Sequence, residues 1–268
     1  MQLNIYDHPM VTHQVWEDFT EIDHTTWKLL FERQAEILQN RACDEIIQGM
    51  ETLNICNDKI PKMEELNAIL KKETDFSIVA VKGFIPEYLF FKFLSERKFP
   101  STCFIRKYHQ LDYLEEPDIF HDVFGHVPLL VNPIFADFME EFGRKGLQSI
   151  ESGLLSYAAA LYWFTVEFGL ISTKEGIRIY GAGITSSKGE SIYCLESDIP
   201  ARIKYNTLRV MKTNYHIDSF QKSYFVIESY DELFKAIRTL DWQEVRETLE
   251  SFPQIDQGIC INELEKMS

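Results

Sequence analysis

In residues 24–39, HTTWKLLFERQAEILQ, apolar side chains recur at spacings of three and four. Trp27, Leu30, Phe31, Ala35 and Leu38 share a face, with charges between them. The pattern predicts an amphipathic helix. Further helices are expected through 41–53 and, after Pro61, through 62–72. SIVAV (77–81) is short, apolar and β-branched, and reads as a strand. PEYLFFKFLSER (86–97) opens with proline, as helix starts often do, and STCFIRKY (101–108) is again strand-like. Helices are expected over 117–125, 132–144 and 152–170. The glycine- and serine-rich stretch 178–194 is expected to form loops with short strands. YFVIE (224–228) predicts a strand, and Ser229 with Glu232 makes a capping-box signature for a helix through 231–240. With no internal repeat, low-complexity linker or charge boundary, the chain reads as one mainly α domain with short β-strands.

Composition narrows the class. The chain has 268 residues, 45% hydrophobic and 13% aromatic, enough to bury a substantial core. No apolar run reaches the roughly 20 residues that span a bilayer. MQLNIYDHPMVTH lacks the basic-then-apolar order of a secretory signal. A formal net charge of −15 would repel a phosphate backbone or an anionic membrane surface, so neither nucleic acid nor membrane is an expected partner. Cys43, Cys56, Cys103, Cys194 and Cys260 are odd in number and form no CxxC pair, as expected of reduced cytoplasmic thiols.

Candidate chemistry begins in HDVFGHVPLL (121–130), where two histidines interrupt a run otherwise suited to the core. His121 and His126 are five apart, which on an α-helix turns the second side chain about 140° from the first. The i, i+4 pair of zinc proteases is absent. Gly125 and Pro128 bracket His126 as helix-ending residues do. A helix stopping at Gly125 would let the chain curl and return His126 toward His121. Two hydrogen-bonded core histidines fit the pair equally well. Glu167 shifts that balance, because it is the only charge in the sixteen residues SYAAALYWFTVEFGLI. A bare carboxylate there must be protonated, paired or bound to a metal. Two imidazoles and a carboxylate, with water in a fourth position, suit catalytic zinc. On one face of an octahedron the same set is the facial triad of non-haem Fe(II) oxygenases. Composition and spacing do not choose between these metals.

EPDIFHDVFGHVPLL, LYWFTVEFGL and IYGAGITSSKGESIYCL closely resemble the catalytic domain of the aromatic amino acid hydroxylases. RACDE, GFIPEYLFFKFLSERKFPSTCFIR and SFQKSYFVI also fit, so the resemblance runs over about residues 20–235. It implies a catalytic domain over 21–240, between an N-terminal extension (1–20) and a C-terminal helical segment (241–268). It implies Fe(II) held by His121, His126 and Glu167, a tetrahydropterin cofactor, and O2 as co-substrate. Gly83, Ile85, Phe90, Asp122, Ala159 and Tyr162 fall on the implied pterin side, Phe90 by stacking. Arg106 and Asp118 match the pair that receives an amino acid's carboxylate. Pro117, Trp163, Gly183 and Ser186 match residues lining the substrate, Ser186 also supporting His121 through a hydrogen bond. Spacing agrees where it speaks: Ala159, Trp163 and Glu167 are four apart and share a helix face. Without the resemblance, Arg106 would read as a surface strand end and Phe90 as a core aromatic. The GAG of YGAGITSS lacks the lysine and strand-to-helix context of a phosphate loop and reads as a tight turn shaping the pocket.

Family members that hydroxylate tyrosine carry an aspartate in the loop before their counterpart of SFQKSYFVI. Ile217 stands there in this chain, apolar as in members that hydroxylate phenylalanine, so the implied partners are small molecules: L-phenylalanine, reduced pterin and O2. Tryptophan hydroxylation is the alternative within the family. A His/His/Glu zinc hydrolase is the alternative from another class, and a binding protein that has kept the fold is the third. Animal members add a regulatory domain and a C-terminal tetramerisation helix. The short ending INELEKMS leads to the expectation of a monomer or dimer, not that tetramer.

Overall fold

The structure, a computed structural model, describes residues 5–112, 114, 116–260 and 267. Three helices lead the chain: α1 (Glu21–Leu38), α2 (Asp44–Thr52) and α3 (Met63–Glu73). α1 starts ahead of its periodic stretch because Thr20 and Asp23 form a reciprocal cap. The Thr20 hydroxyl accepts from Asp23 N, and the Asp23 carboxylate accepts from Thr20 N.

Strands β1 (Ser77–Val81) and β2 (Lys98–Thr102) pair in parallel through the crossover helix α4 (Glu87–Leu94). β2 corrects the expected strand over 101–108. It begins three residues earlier, takes in Pro100, and ends at Thr102. Proline lacks an N–H, and a two-stranded sheet leaves each strand one unpaired edge where none is needed. Beyond Thr102 the backbone bonds to another segment. Ile119 N donates to Phe104 O (2.9 Å), and Arg106 N donates to Asp118 Oδ2 (2.8 Å).

A π-helical turn (Phe120–His126) and a 3-10 turn (Val127–Val131) follow. Asn132 then caps the long α5 (Pro133–Glu151). The expected helix over 152–170 is α6 (Leu155–Tyr162) continued as a second π-turn (Trp163–Glu167). β3 (Leu170–Thr173) and β4 (Gly176–Ile179) form a hairpin. The loops expected up to residue 194 are largely helical instead: α7 (Ala182–Thr185) and α8 (Lys188–Glu196), the latter capped by Ser187. β5 (Ala201–Lys204), α9 (Thr207–Met211), β6 (Ser223–Ile227), α10 (Tyr230–Thr239) and α11 (Trp242–Ser251) complete the order. The second sheet runs β4-β3-β6-β5, with β6 parallel to both neighbours. The cap at Ser229 forms as expected, accepting from Glu232 N, while the Glu232 carboxylate reaches Glu228 N.

α5 packs against α4 and α10, and one core containing Trp27, Phe120, Phe124, Phe164 and Phe225 runs behind both π-turns. Among the described residues no helix is long and apolar enough to cross a membrane.

Candidate active site

The π-turn at Phe120–His126 removes the spacing problem of the two histidines. Its i→i+5 pattern sets residue 126 over residue 121, where an α-helix would splay them. The helix therefore does not stop at Gly125, as its sequence suggests, but winds through it. A Cβ on Gly125 would lie 2.9 Å from Ala182 O, so glycine is what lets α7 pack against this turn. Glu167 ends the second π-turn, where Phe168 N donates to Trp163 O (2.8 Å).

These two turns bring the three candidate ligands together, with their ligand atoms all within 4.8 Å of one another. The Nε2 atoms of His121 and His126 are 3.2 Å apart. Glu167 Oε1 lies 3.2 Å from His126 Nε2, and Oε2 lies 3.7 Å from His121 Nε2.

The surrounding hydrogen bonds set the protonation these ligands need. Ser186 Oγ donates to Ala182 O (2.9 Å), so toward His121 Nδ1 (2.9 Å) it acts as acceptor. That places the ring proton on Nδ1 and a lone pair on Nε2, the tautomer of a metal ligand. Burial pulls the His121 pKa down to about 4, with Glu167 opposing and His126 adding to the fall, so the imidazole is neutral. Burial alone would raise Glu167. The neighbouring His126 and His121 rings and the N–H of Gly183 outweigh it and hold the carboxyl below its ordinary range. A neutral imidazole lone pair, a second imidazole and an ionised carboxylate aimed at one point form the donor set of a divalent cation, and they fit such an ion.

Two cavities meet at this centre. One, of about 450 Å³, is lined by Gly83, Ile85, Phe90, Asp122, Ala159 and Tyr162, all the residues expected on the pterin side. Phe90 is half-buried and packs edge-on against Tyr162 with ring centroids 5.1 Å apart, so one face is not sealed in the core. Gly83 has φ +142°, a backbone conformation L side chains rarely adopt. Asp122 Oδ2 accepts from Thr102 N (2.7 Å) and Thr102 Oγ1 (2.9 Å), and burial raises its pKa to about 7 despite those bonds.

The other cavity, of about 460 Å³, is lined by Arg106, Pro117, Trp163, Gly183, Ser186 and Ile217. Arg106 is 8% exposed, which rules out a surface strand end. Asp118, fully buried, stands behind it rather than in the cavity wall. It takes Arg106 Nε (2.9 Å) and Nη2 (2.8 Å) on its two oxygens, and His121 N donates to Oδ1 (3.1 Å). One carboxylate thus fixes the guanidinium relative to the first metal ligand. Arg106 Nη1 has no hydrogen-bond partner among the described residues, so one edge of the fork is left for a ligand. Ile217 lies at the rim and is 75% exposed. His121, Glu167, Pro117, Trp163 and Phe84 line both cavities, so the metal site is their junction.

Several residues here were not singled out in the sequence. Thr102 anchors Asp122, while Gly183, expected only on the substrate side, also contributes an N–H to Glu167. Phe84, two-thirds exposed, stands over both cavities. Only Glu190 carried a signal: with Ser187 it repeats the capping-box pattern. All five cysteines are free, and burial pushes the Cys43 and Cys103 thiols up, to about 12 and about 11.

Comparison with known proteins follows the same line. A model of the biopterin-dependent aromatic amino acid hydroxylase family matches residues 6–252. A phenylalanine-4-hydroxylase of Ralstonia nicotianae is 50% identical over 244 residues, 91% of this chain and 78% of that protein. One from Caulobacter vibrioides is 48% identical over 242 residues, 90% of this chain and 82% of that protein. A crystal structure of phenylalanine hydroxylase from Chromobacterium violaceum bound to cobalt matches with a TM-score of 0.92 at 47% identity. That match covers 95% of this chain and 91% of the solved one.

Proposed function

The chain belongs to the biopterin-dependent aromatic amino acid hydroxylases, and from that premise we propose that it is a tetrahydropterin-dependent, non-haem Fe(II) monooxygenase converting L-phenylalanine to L-tyrosine with O2. The observation that carries this reading is the junction of two cavities at His121, His126 and Glu167. A hydrolase centre needs one substrate pocket, whereas a reaction in which a cofactor and a substrate both face one metal needs two. Cobalt, which the relative's structure binds, is a first-row transition metal of the kind this donor set would hold. We propose that the catalytic domain is residues 21–240, with the flanking segments outside it. The free thiols support a reducing, cytoplasmic setting.

When bound, iron and the reduced pterin supply the electrons and the activation of O2. The protein's part is placement. His121, with its proton held on Nδ1 by Ser186, offers Nε2 to the ion together with His126 and Glu167. Phe90, Tyr162 and Ile85 make an apolar slot for a flat ring, and Asp122 puts a carboxyl oxygen on its edge. On the other side, Arg106 takes the amino acid's carboxylate through the edge left by Asp118. Trp163 and Pro117 then confine its ring and exclude water.

Substrate preference follows from what the ring meets. Tyrosine adds a hydroxyl at the carbon to be attacked, and leaving it unpaired costs about 1–3 kcal/mol, or roughly ten- to a hundredfold in discrimination. With phenylalanine, tyrosine and tryptophan supplied in turn, phenylalanine should be turned over fastest. Equal rates of tyrosine and dihydroxyphenylalanine formation would overturn the assignment. Ile217→Asp should raise tyrosine hydroxylation relative to phenylalanine. The rim is exposed, so the new charge stays solvated and the ratio should move only about threefold. An unaltered ratio would remove Ile217 alone from the account.

A further inference from the structure

Gln221 is 1% exposed and belongs to the inner wall of the substrate cavity. Its carboxamide is fully committed. Oε1 accepts from Trp163 Nε1 (3.0 Å) and from Gln257 Nε2 (2.9 Å). Nε2 donates to the carbonyls of His216 (2.8 Å) and Ser219 (3.2 Å). Two donors on one side and two carbonyls on the other fix which atom is oxygen. Its backbone N–H donates to Glu190 Oε1 (3.1 Å), the oxygen that also takes the Tyr224 hydroxyl. One side chain thereby joins Trp163, the loop carrying Ile217, and the segment after α11; through its backbone it also meets α8.

The indole of Trp163 is held on its faces by Tyr215 (centroids 4.9 Å, 24°) and Phe168 (4.7 Å, 34°). Stacking fixes the plane of the ring but does not choose between the two orientations related by a half-turn about Cβ–Cγ. The Nε1–H bond to Gln221 supplies the missing constraint. The same carboxamide holds two carbonyls of the 214–221 loop, so the wall and the rim of the cavity share one clamp.

We propose that Gln221 is a positioning and specificity-determining residue, which sets the amino acid pocket by locking Trp163 and the Ile217 loop in a single register. It does so without touching the metal centre, and among its partners only Trp163 also lines the pterin-side cavity. This rests on the assignment of the Trp163 cavity to the amino acid substrate.

The test is a double-mutant cycle of Gln221→Met and Trp163→Phe, reading KM and kcat for phenylalanine, KM for the pterin, and the phenylalanine-to-tryptophan preference. Gln221→Met should raise KM for phenylalanine about tenfold, as expected for the loss of buried hydrogen bonds. It should erode the preference, and leave the pterin KM within about twofold. In the Trp163→Phe background, where the indole N–H is already gone, the same substitution should change KM less than about threefold. Equal effects in the two backgrounds, or a parallel loss for both substrates with no change in preference, overturn the proposal. Should Gln221→Met not fold, Gln257→Met removes the donor that helps orient the carboxamide, together with the acceptor of the Lys222 and Ser223 N–H groups. It should raise the same KM about threefold, and an unchanged KM there overturns the proposal equally. Wild-type protein that does not bind phenylalanine would overturn this inference together with the assignment beneath it, whereas normal wild-type binding with an additive cycle overturns this inference alone.

Discussion

Glu167→Ala should leave a folded protein that no longer retains iron or hydroxylates phenylalanine. The carboxylate is the only anion among the three ligands, and its removal leaves two imidazoles whose Nε2 atoms are 3.2 Å apart. Affinity should fall by at least about a hundredfold, since even outer-shell losses at metal sites cost about ten- to a hundredfold. Stability of the metal-free protein should move only modestly. Glu167 is 14% exposed, and even without a cation the neighbouring His126 and His121 rings and the Gly183 N–H outweigh its desolvation. Replacing it forfeits those contacts, so the Tm of the metal-free variant should lie a few degrees below the wild type. The rise in Tm that added Fe(II) gives the wild type by mass action should be absent. Iron per chain after dialysis, with circular dichroism as the control for folding, measures both. Wild-type iron content and turnover in Glu167→Ala would remove the metal assignment.

Arg106→Lys should raise KM for phenylalanine more than about tenfold. Asp118 occupies Nε and Nη2 of the guanidinium, leaving the far edge to meet a carboxylate. An ammonium pairs with Asp118 or with the ligand, and cannot fork to both. Losing one charge-assisted hydrogen bond is worth about 1.5–3 kcal/mol, or roughly ten- to a hundredfold in affinity. The charge opposite buried Asp118 is kept, so the fold should survive. KM for the pterin should change less than about twofold, because Arg106 lines only the substrate cavity. Steady-state kinetics with each substrate varied in turn separates the two, and an unchanged KM for phenylalanine would take Arg106 out of substrate binding.

Much of the helical frame was legible because its apolar stripes recur at three and four and its caps carry recognisable residues. Ser229 and Glu232 announced α10, and Asn132 with Pro133 opens α5. Ser187 and Glu190 carry the same signature for α8, but glycine and serine around them suggested a loop. Glu190 then turns inward to Gln221 and Tyr224 instead of back to the cap. β5 and α9 are too short for a period to show, and β5 owes its place to pairing with β6. The strand expected at 101–108 failed for a related reason: its last residues serve the Arg106–Asp118 contact, which lies outside any local pattern.

At the site, Glu167 was readable from solitude, as a charge in an apolar run. The geometry of the two histidines was not. Residues five apart converge on a π-turn and diverge on an α-helix, and nothing in the apolar pattern of HDVFGHV distinguishes the two windings. The need for a shared ligand, and Gly125 admitting α7, supply what periodicity lacks. Gln221 was hidden for the opposite reason, as a polar residue just ahead of the strand YFVIE, with partners spread from Trp163 to Gln257.

The most direct test of the two-cavity centre is oxygen uptake by the wild-type protein loaded with Fe(II), with amino acid and pterin added separately and then together. Phenylalanine with a tetrahydropterin should give rapid uptake and about one tyrosine per O2, far above the rate with either alone, and Zn(II) in place of Fe(II) should give none. Uptake indifferent to phenylalanine or pterin, or equal activity with zinc, would contradict the account.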